Sequence, residues 1–309
     1  MESNNPYQGP SADVLVTQAG SGTVGQAQKR PVGNGGVWWA QAWQIVRQNK
    51  LMWALATFVF LLIFMAIGLI TAFIPFIGTF IPTLFAPVFV VGLYFIAHRV
   101  REQNTFSFGD LFVGFSNQTG PLFMAGLAQI VAMLVFFVLI GILGALFFGS
   151  ELMMMFSSFA DPYAAPMMNP AFGIAKMILF GLVSLLLIIP YMAAIWFQVP
   201  LVFFGQRNAF AAMVESFTAV FRNFLAMLWY GIIGFLIFLV LGIAAAIIVG
   251  VITGVLGQGV ISGILMFVFG VVMLLVMLVL MALYSATIYC SFRDIFELGE
   301  AAPRQPASV

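Results

Sequence analysis

Charge is the scarcest property of this sequence. Of 309 residues, 11 are Lys or Arg, 10 are Asp or Glu and one is histidine, so 7% are charged against 63% hydrophobic. A soluble domain carries about 25% charged residues, and a water-soluble chain of this length could not hide so much apolar surface. The shortage excludes a soluble enzyme or carrier and leaves an integral membrane protein. A net charge of +1 also removes the basic field that nucleic acid requires, so no nucleic-acid partner is expected. The single cysteine, Cys290, excludes an intramolecular disulfide. The single histidine, His98, cannot supply a His-based metal site or a His/Cys/Asp hydrolytic set. No catalytic residue, metal or other cofactor is expected.

Acids are missing where they would matter most. All ten lie in tails, loops or at the edges of the apolar runs. An ionisable side chain inside a span marks function by default, because its desolvation must be compensated. Without one, intramembrane catalysis and a proton relay lose their chemistry.

What the sequence does have is long uncharged runs, at 51–97, 120–150, 177–206 and 223–289. About 20 apolar residues cross a bilayer as a helix. The first run breaks at "IPFIGTFIP" (74–82) and the last at "GVLGQG" (254–259). Six spans follow, near 51–74, 81–98, 121–148, 174–204, 224–252 and 260–289. The runs are continuous rather than alternating, which excludes a membrane β-barrel. Ten of the eleven basic residues fall on one side of these spans, with Lys176 alone on the other. By the positive-inside rule both termini should be cytoplasmic. Residues 1–36 are rich in Gly, Gln, Asn, Ser and Pro and read as a disordered tail with no signal peptide. A membrane domain over 37–298 and a second tail over 299–309 complete the plan.

A weak internal repeat organises the spans. Arg99 stands 17 residues after Pro82, and Arg207 stands 17 residues after Pro190. Asp110-Leu111-Phe112, Asn208-Ala209-Phe210 and Asp294-Ile295-Phe296 then recur just past a basic anchor. Asp and Asn are good N-caps, so Arg99, Arg207 and Arg293 read as anchors, and Asp110, Asn208 and Asp294 as caps of a following turn. Phe210, Val214, Phe217 and Phe221 share one helical face, and "VWWAQAWQIVRQNK" (37–50) carries three tryptophans. Both read as interfacial helices with aromatics directed inward. The expected fold is therefore all-α: six transmembrane helices as three hairpins, each preceded by a short amphipathic helix. The hairpins would form a pseudo-threefold parallel repeat about the membrane normal.

"DLFVGF" (110–115) and "YCSFRDIF" (289–296) resemble a family of uncharacterised six-span bacterial inner-membrane proteins. More loosely, the layout is similar to the membrane domain attached to some glycerophosphodiester phosphodiesterases. The first resemblance implies six spans and a bacterial inner membrane. It brings no activity and no catalytic residue.

Polar residues within the spans are neutral. Pro190 and Pro200 interrupt the fourth span, and with Tyr191 and Gln198 they mark the place to look for a cavity, since broken helices often surround transport sites. Gly250/Gly254 and Gly259/Gly263 fit close packing inside one chain and equally a homo-oligomer contact. The Met-rich stretch 149–173 fits an apolar cap or partner surface better than Cu(I). Two functional classes remain. One is a non-enzymatic accessory or scaffold contacting the lipid bilayer or another membrane protein. The other is a transporter for a small neutral or amphipathic solute.

Overall fold

The computed structural model describes residues 24–74, 77–160, 170–257 and 259–298. Helix α1 (Asn34–Arg47) leads into α2 (Lys50–Thr71), and a 3-10 turn (Ile77–Thr79) returns the chain into α3 (Ile81–Gln103). A second 3-10 turn (Phe108–Phe112) and the one-turn helix α4 (Val113–Ser116) precede α5 (Thr119–Ala160). The chain returns through α6 (Pro170–Trp196) and α7 (Gln198–Phe203). Helix α8 (Ala209–Arg222) then precedes the last pair, α9 (Phe224–Leu256) and α10 (Val260–Ile295). No strand occurs among the described residues.

Six segments are long and apolar enough to cross a membrane: Lys50–Thr71, Ile77–Gln103, Thr119–Glu151, Gly173–Phe203, Phe224–Leu256 and Val260–Ile295. They coincide with the six expected spans, so this is an all-helical, six-span integral membrane protein. The order of short helix, span and returning span occurs three times along the chain.

The core sits at the basic end. Burial in α2 is concentrated at Trp53–Phe60, in α3 at Pro87–Val100, and in α10 at Leu278–Ile295. In α9 only Ala226, Tyr230 and Gly234, all in its first third, are buried. The far halves of α5, α6, α9 and α10 present large apolar side chains outward, which suits lipid rather than water. At ~1.5 Å per residue, α5 is roughly 63 Å long, about twice the hydrocarbon thickness. The ion pair between Lys176 and Glu151 lies roughly 48 Å along α5 from Thr119, past the apolar core, where such a pair is tolerated.

Two expectations at the N-terminal side need correction. Residues 24–36 are not a free tail. They pack against the bundle through Arg30, Asn34 and the backbone of Gly25 and Gln28. Residues 1–23 of the expected tail, and the whole of 299–309, lie outside the described residues. Nor does α1 leave its first two tryptophans to lipid, although Trp43 stays exposed. Trp38, Trp39, Ala42, Ile45 and Val46 are buried in a helix packed on α9 and α10. Gly35 permits this, because a Cβ there would meet Ala226 O at 2.4 Å and Tyr230 N at 2.6 Å. Trp39 stacks on Tyr230 at 5.2 Å and its Nε1 donates to Tyr230 O. Helix α8 differs: Phe210, Val214, Phe217 and Phe221 are all exposed, while Ala209, Ala212, Met213, Ser216 and Ala219 face the protein.

Candidate functional site

The returning spans meet at the basic end through aromatic side chains. Phe95 of α3 packs on Phe203 of α7 at 5.9 Å, and Phe204 stacks on Phe292 of α10 at 5.9 Å. Phe197 packs on Phe296 at 5.7 Å. All six rings are at most 4% exposed. His98 Nδ1 lies 2.9 Å from Tyr289 Oη, so the polar edge of the only histidine is engaged inside this seal.

Around the seal runs a set of cross-links built from the boundary residues. Arg99 Nη1 donates to both oxygens of Asp110, at 2.8 and 2.9 Å. Asp110 was expected as a cap. It lies inside the 3-10 turn instead, with Ser107 at the cap position, because its carboxylate is held by Arg99. Burial pushes the Asp110 carboxyl above its usual range, against the opposing pull of Arg99. Asn208 does occupy the N-cap of α8, and its Oδ1 accepts from the Phe210 N–H at 3.0 Å. Arg207 pairs with Glu215 at 3.3 Å, and Arg293 with Glu102 at 3.0 Å.

Asp294 is likewise no N-cap. It sits in the last turn of α10, and its Oδ2 accepts from Asn34 Nδ2 and Trp38 Nε1, each at 2.8 Å. Its Oδ1 pairs with Arg30 at 3.2 Å. Phe296, two residues on, is fully buried.

The final helix is capped by the other end of the chain. The last carbonyls of any helix lack intrahelical partners. Here Gly25 N–H donates to Phe296 O at 2.9 Å and Gln28 N–H to Ile295 O at 2.8 Å, while Leu298 N–H donates to Arg293 O at 3.2 Å. Arg30 donates to Asp294 O through Nε and Nη2. Residues 24–33 are thus a strap, further tied by Asn223, which donates to Gln28 O and accepts from Arg30 N–H. Arg222 donates to Ala27 O at 2.8 Å. Sequence reasoning missed the strap, Asn223 and Glu102, because backbone hydrogen bonds leave no hydrophobic pattern.

The fourth span breaks at Phe197 for a local reason. Pro200 lacks the N–H that would bond to Trp196 O, and its ring crowds that carbonyl. One turn earlier, Ser216 inserts into the ladder. Phe197 N–H donates to Ser216 Oγ at 2.9 Å, and Oγ donates to Ala193 O at 2.7 Å. A hydroxyl therefore stands where one i→i−4 bond would be, a recognised cause of helix bending. Ser216→Ala should leave two facing backbone groups unpaired and cost about 2 kcal/mol. Thermal unfolding in detergent checks this; an unchanged Tm would mean that the helix closes on itself without the serine.

Gln198 and Pro200, expected as cavity lining, are buried. Gln198 Nε2 donates to Ala209 O at 3.1 Å, and its Oε1 accepts from Gln129 Nε2 at 2.9 Å. The side chain thus joins α5, α7 and α8, and its polarity is consumed in packing. Pro190 and Tyr191 do line a groove of about 360 Å³, together with Val135, Phe136, Phe210 and Met213. The groove is apolar and separate from Gln198.

Among the described residues, no three His, Cys, Asp or Glu side chains converge as a metal-ligand set. Of the Met-rich stretch, Met153 is exposed, and 161–169 lie outside the described residues.

No curated protein and no solved structure matches this chain. "DLFVGF" falls within the one matched region, and "YCSFRDIF" falls outside it. Residues 73–203, from the turn after α2 through α7, match a family model described as predicted integral membrane protein (DUF2189), which makes this part of the chain similar to a membrane family of uncharacterised activity.

Proposed function

We propose that this protein is a non-enzymatic accessory or scaffold of a bacterial inner membrane, with both termini cytoplasmic, contacting lipids or other membrane proteins. The observation that carries the reading is the aromatic seal formed by Phe95, Phe203, Phe204, Phe292 and Phe296. A solute path along the bundle would have to open it. The outward apolar face of α8 supports the same reading, since Phe210, Val214, Phe217 and Phe221 offer an in-plane surface to lipid. Affinity purification from native membranes, with mass spectrometry of proteins and lipids, tests it. A stable co-purifying protein or a retained lipid class is expected. Recovery as a bare monomer would overturn the reading.

The groove beside Pro190 and Tyr191 favours a second reading, a facilitator for an amphipathic solute. That reading requires flux in proteoliposomes which falls when Tyr191 or Ala194 is replaced by tryptophan. On the scaffold reading, flux equals that of empty vesicles.

A further inference from the structure

We propose that a cavity at the basic end binds a phosphate group, carried either by an anionic lipid or by a small soluble phosphate ester. The cavity measures about 210 Å³ and is walled by Arg30, Gln41, Arg101, Arg293, Asp294 and Glu297 among others. Three guanidinium groups therefore face two carboxylates in a recess that opens to the surface. Both carboxylates are already committed. Asp294 holds Asn34, Trp38 and Arg30, and Glu297 holds Arg30 at 3.1 Å.

The donors are less fully committed. A guanidinium carries five N–H donors and a glutamine amide two. Arg293 reaches Glu102 through Nη2 alone, and its Nε and Nη1 have no acceptor among the described residues. Arg101 donates through Nη1 to Gln41 Oε1 at 3.2 Å and meets Glu102 through Nε at 3.9 Å. That contact fixes the Gln41 amide, whose N–H groups likewise have no acceptor among the described residues. Donors on α1, α3 and α10 thus converge on one volume whose acceptors, apart from the outer oxygen of Glu297, already carry partners.

Planar guanidinium forks match the oxygens of phosphate, and such charge-assisted bonds are roughly twice as strong as neutral ones. The Arg30, Arg101 and Arg293 side chains are only 22–28% exposed, so screening by water is reduced. Basic pockets between transmembrane helices are a known way to hold lipid headgroups. The volume lies below the roughly 300 Å³ at which drug-sized pockets begin, which fits a headgroup rather than a larger metabolite. The site does not depend on the scaffold reading, because its test needs neither a protein partner nor flux.

The test is thermal unfolding of the purified full-length chain in a phosphate-free detergent. Additions are phosphatidylglycerol in mixed micelles, glycerol 3-phosphate, inorganic phosphate, and chloride matched in ionic strength. A concentration-dependent rise in Tm above the chloride control is expected. A rise with the lipid alone assigns a headgroup; a rise with glycerol 3-phosphate or phosphate as well assigns the soluble ester. Arg293→Gln should weaken the apparent affinity about tenfold, the loss of one charge-assisted bond. Gln41→Ala, which leaves every ion pair in place, should weaken it less, and Arg47→Gln, outside the cavity, should match the parent. No rise with any phosphate compound, or equal rises in the parent and in both cavity variants, would overturn the proposal.

Discussion

Gly92→Ala is expected to lower the yield and the Tm of the folded protein sharply. A Cβ at this position would stand 2.2 Å from Leu111 O, 2.6 Å from Leu111 C and 2.7 Å from Leu111 Cα. These are backbone atoms, so no rotamer change can relieve the clash. Gly114 makes the reciprocal approach, with Val88 O at 2.2 Å from its notional Cβ. The pair clamps the 3-10 turn and α4 onto α3 from two points. Separating them would cost about 3 kcal/mol, the upper part of the overpacking range, out of a total stability of about 5–15 kcal/mol. The damage would also spread along α3. Arg99 lies two turns from Gly92 on the same face, and its bidentate hold on Asp110 depends on how closely the turn approaches. Gly141→Ala is the control, since a Cβ there meets nothing within 4 Å and alanine is the better helix former by about 1 kcal/mol. Yield of monodisperse protein and Tm distinguish the two. If both variants behave alike, backbone contact at Gly92 is not what holds this corner together.

The spans were legible because their signal is local and unopposed. No charge interrupts 223–289, so no competing reading existed for α9 or the membrane part of α10. Helix α8 was legible for another reason: Phe210, Val214, Phe217 and Phe221 repeat at helical spacing, and lipid asks nothing more of them. The same logic failed for α1. Tryptophan suits the headgroup region and the protein interior equally, and what decides is Gly35 seated against Ala226 and Tyr230, a contact almost two hundred residues away. Gln198 read as a cavity residue because polarity inside a span calls for a use. Its use is Ala209 O and Gln129, and neither pairing can be seen along the chain. Residues 24–33 looked like tail because Val24, Ala27 and Val32 stand too far apart among Gly, Gln, Lys, Arg and Pro to show a helical or strand period. They are ordered by backbone hydrogen bonds to Ile295 and Phe296, which any composition can make.

Asp294→Ala should be the most damaging single change at the polar boundary, well beyond Arg293→Ala. In "SFRDIFE" (291–297) the two neighbours read as an anchor and a cap, and the second carries far more of the structure. Arg293 makes one ion pair, with Glu102, both side chains being about a quarter exposed, and a single pair at such a boundary contributes on the order of 1 kcal/mol. Its loss should lower abundance slightly. Asp294 closes three contacts on the strap and α1: Arg30, Asn34 and the Nε1 of Trp38, whose ring is fully buried. Removing the carboxylate leaves the buried Trp38 N–H without its acceptor and Arg30 with Glu297 as its remaining counter-charge, a loss of about 3 kcal/mol. The strap would then loosen, exposing the last carbonyls of α10 that Gly25 and Gln28 satisfy. Asp294→Asn keeps an acceptor for Trp38 and should recover about half of the lost stability, since it forfeits only the charge on Arg30. Tryptophan fluorescence during thermal unfolding, together with limited proteolysis of the N-terminal strap, measures both effects. The expected order of Tm is parent, then Arg293→Ala, then Asp294→Asn, then Asp294→Ala, with strap cleavage accelerating in the same sequence. If Arg293→Ala proves as damaging as Asp294→Ala, the clasp between the two ends of the chain is not what stabilises this fold, and the weight shifts to the Glu102 pair across α3 and α10.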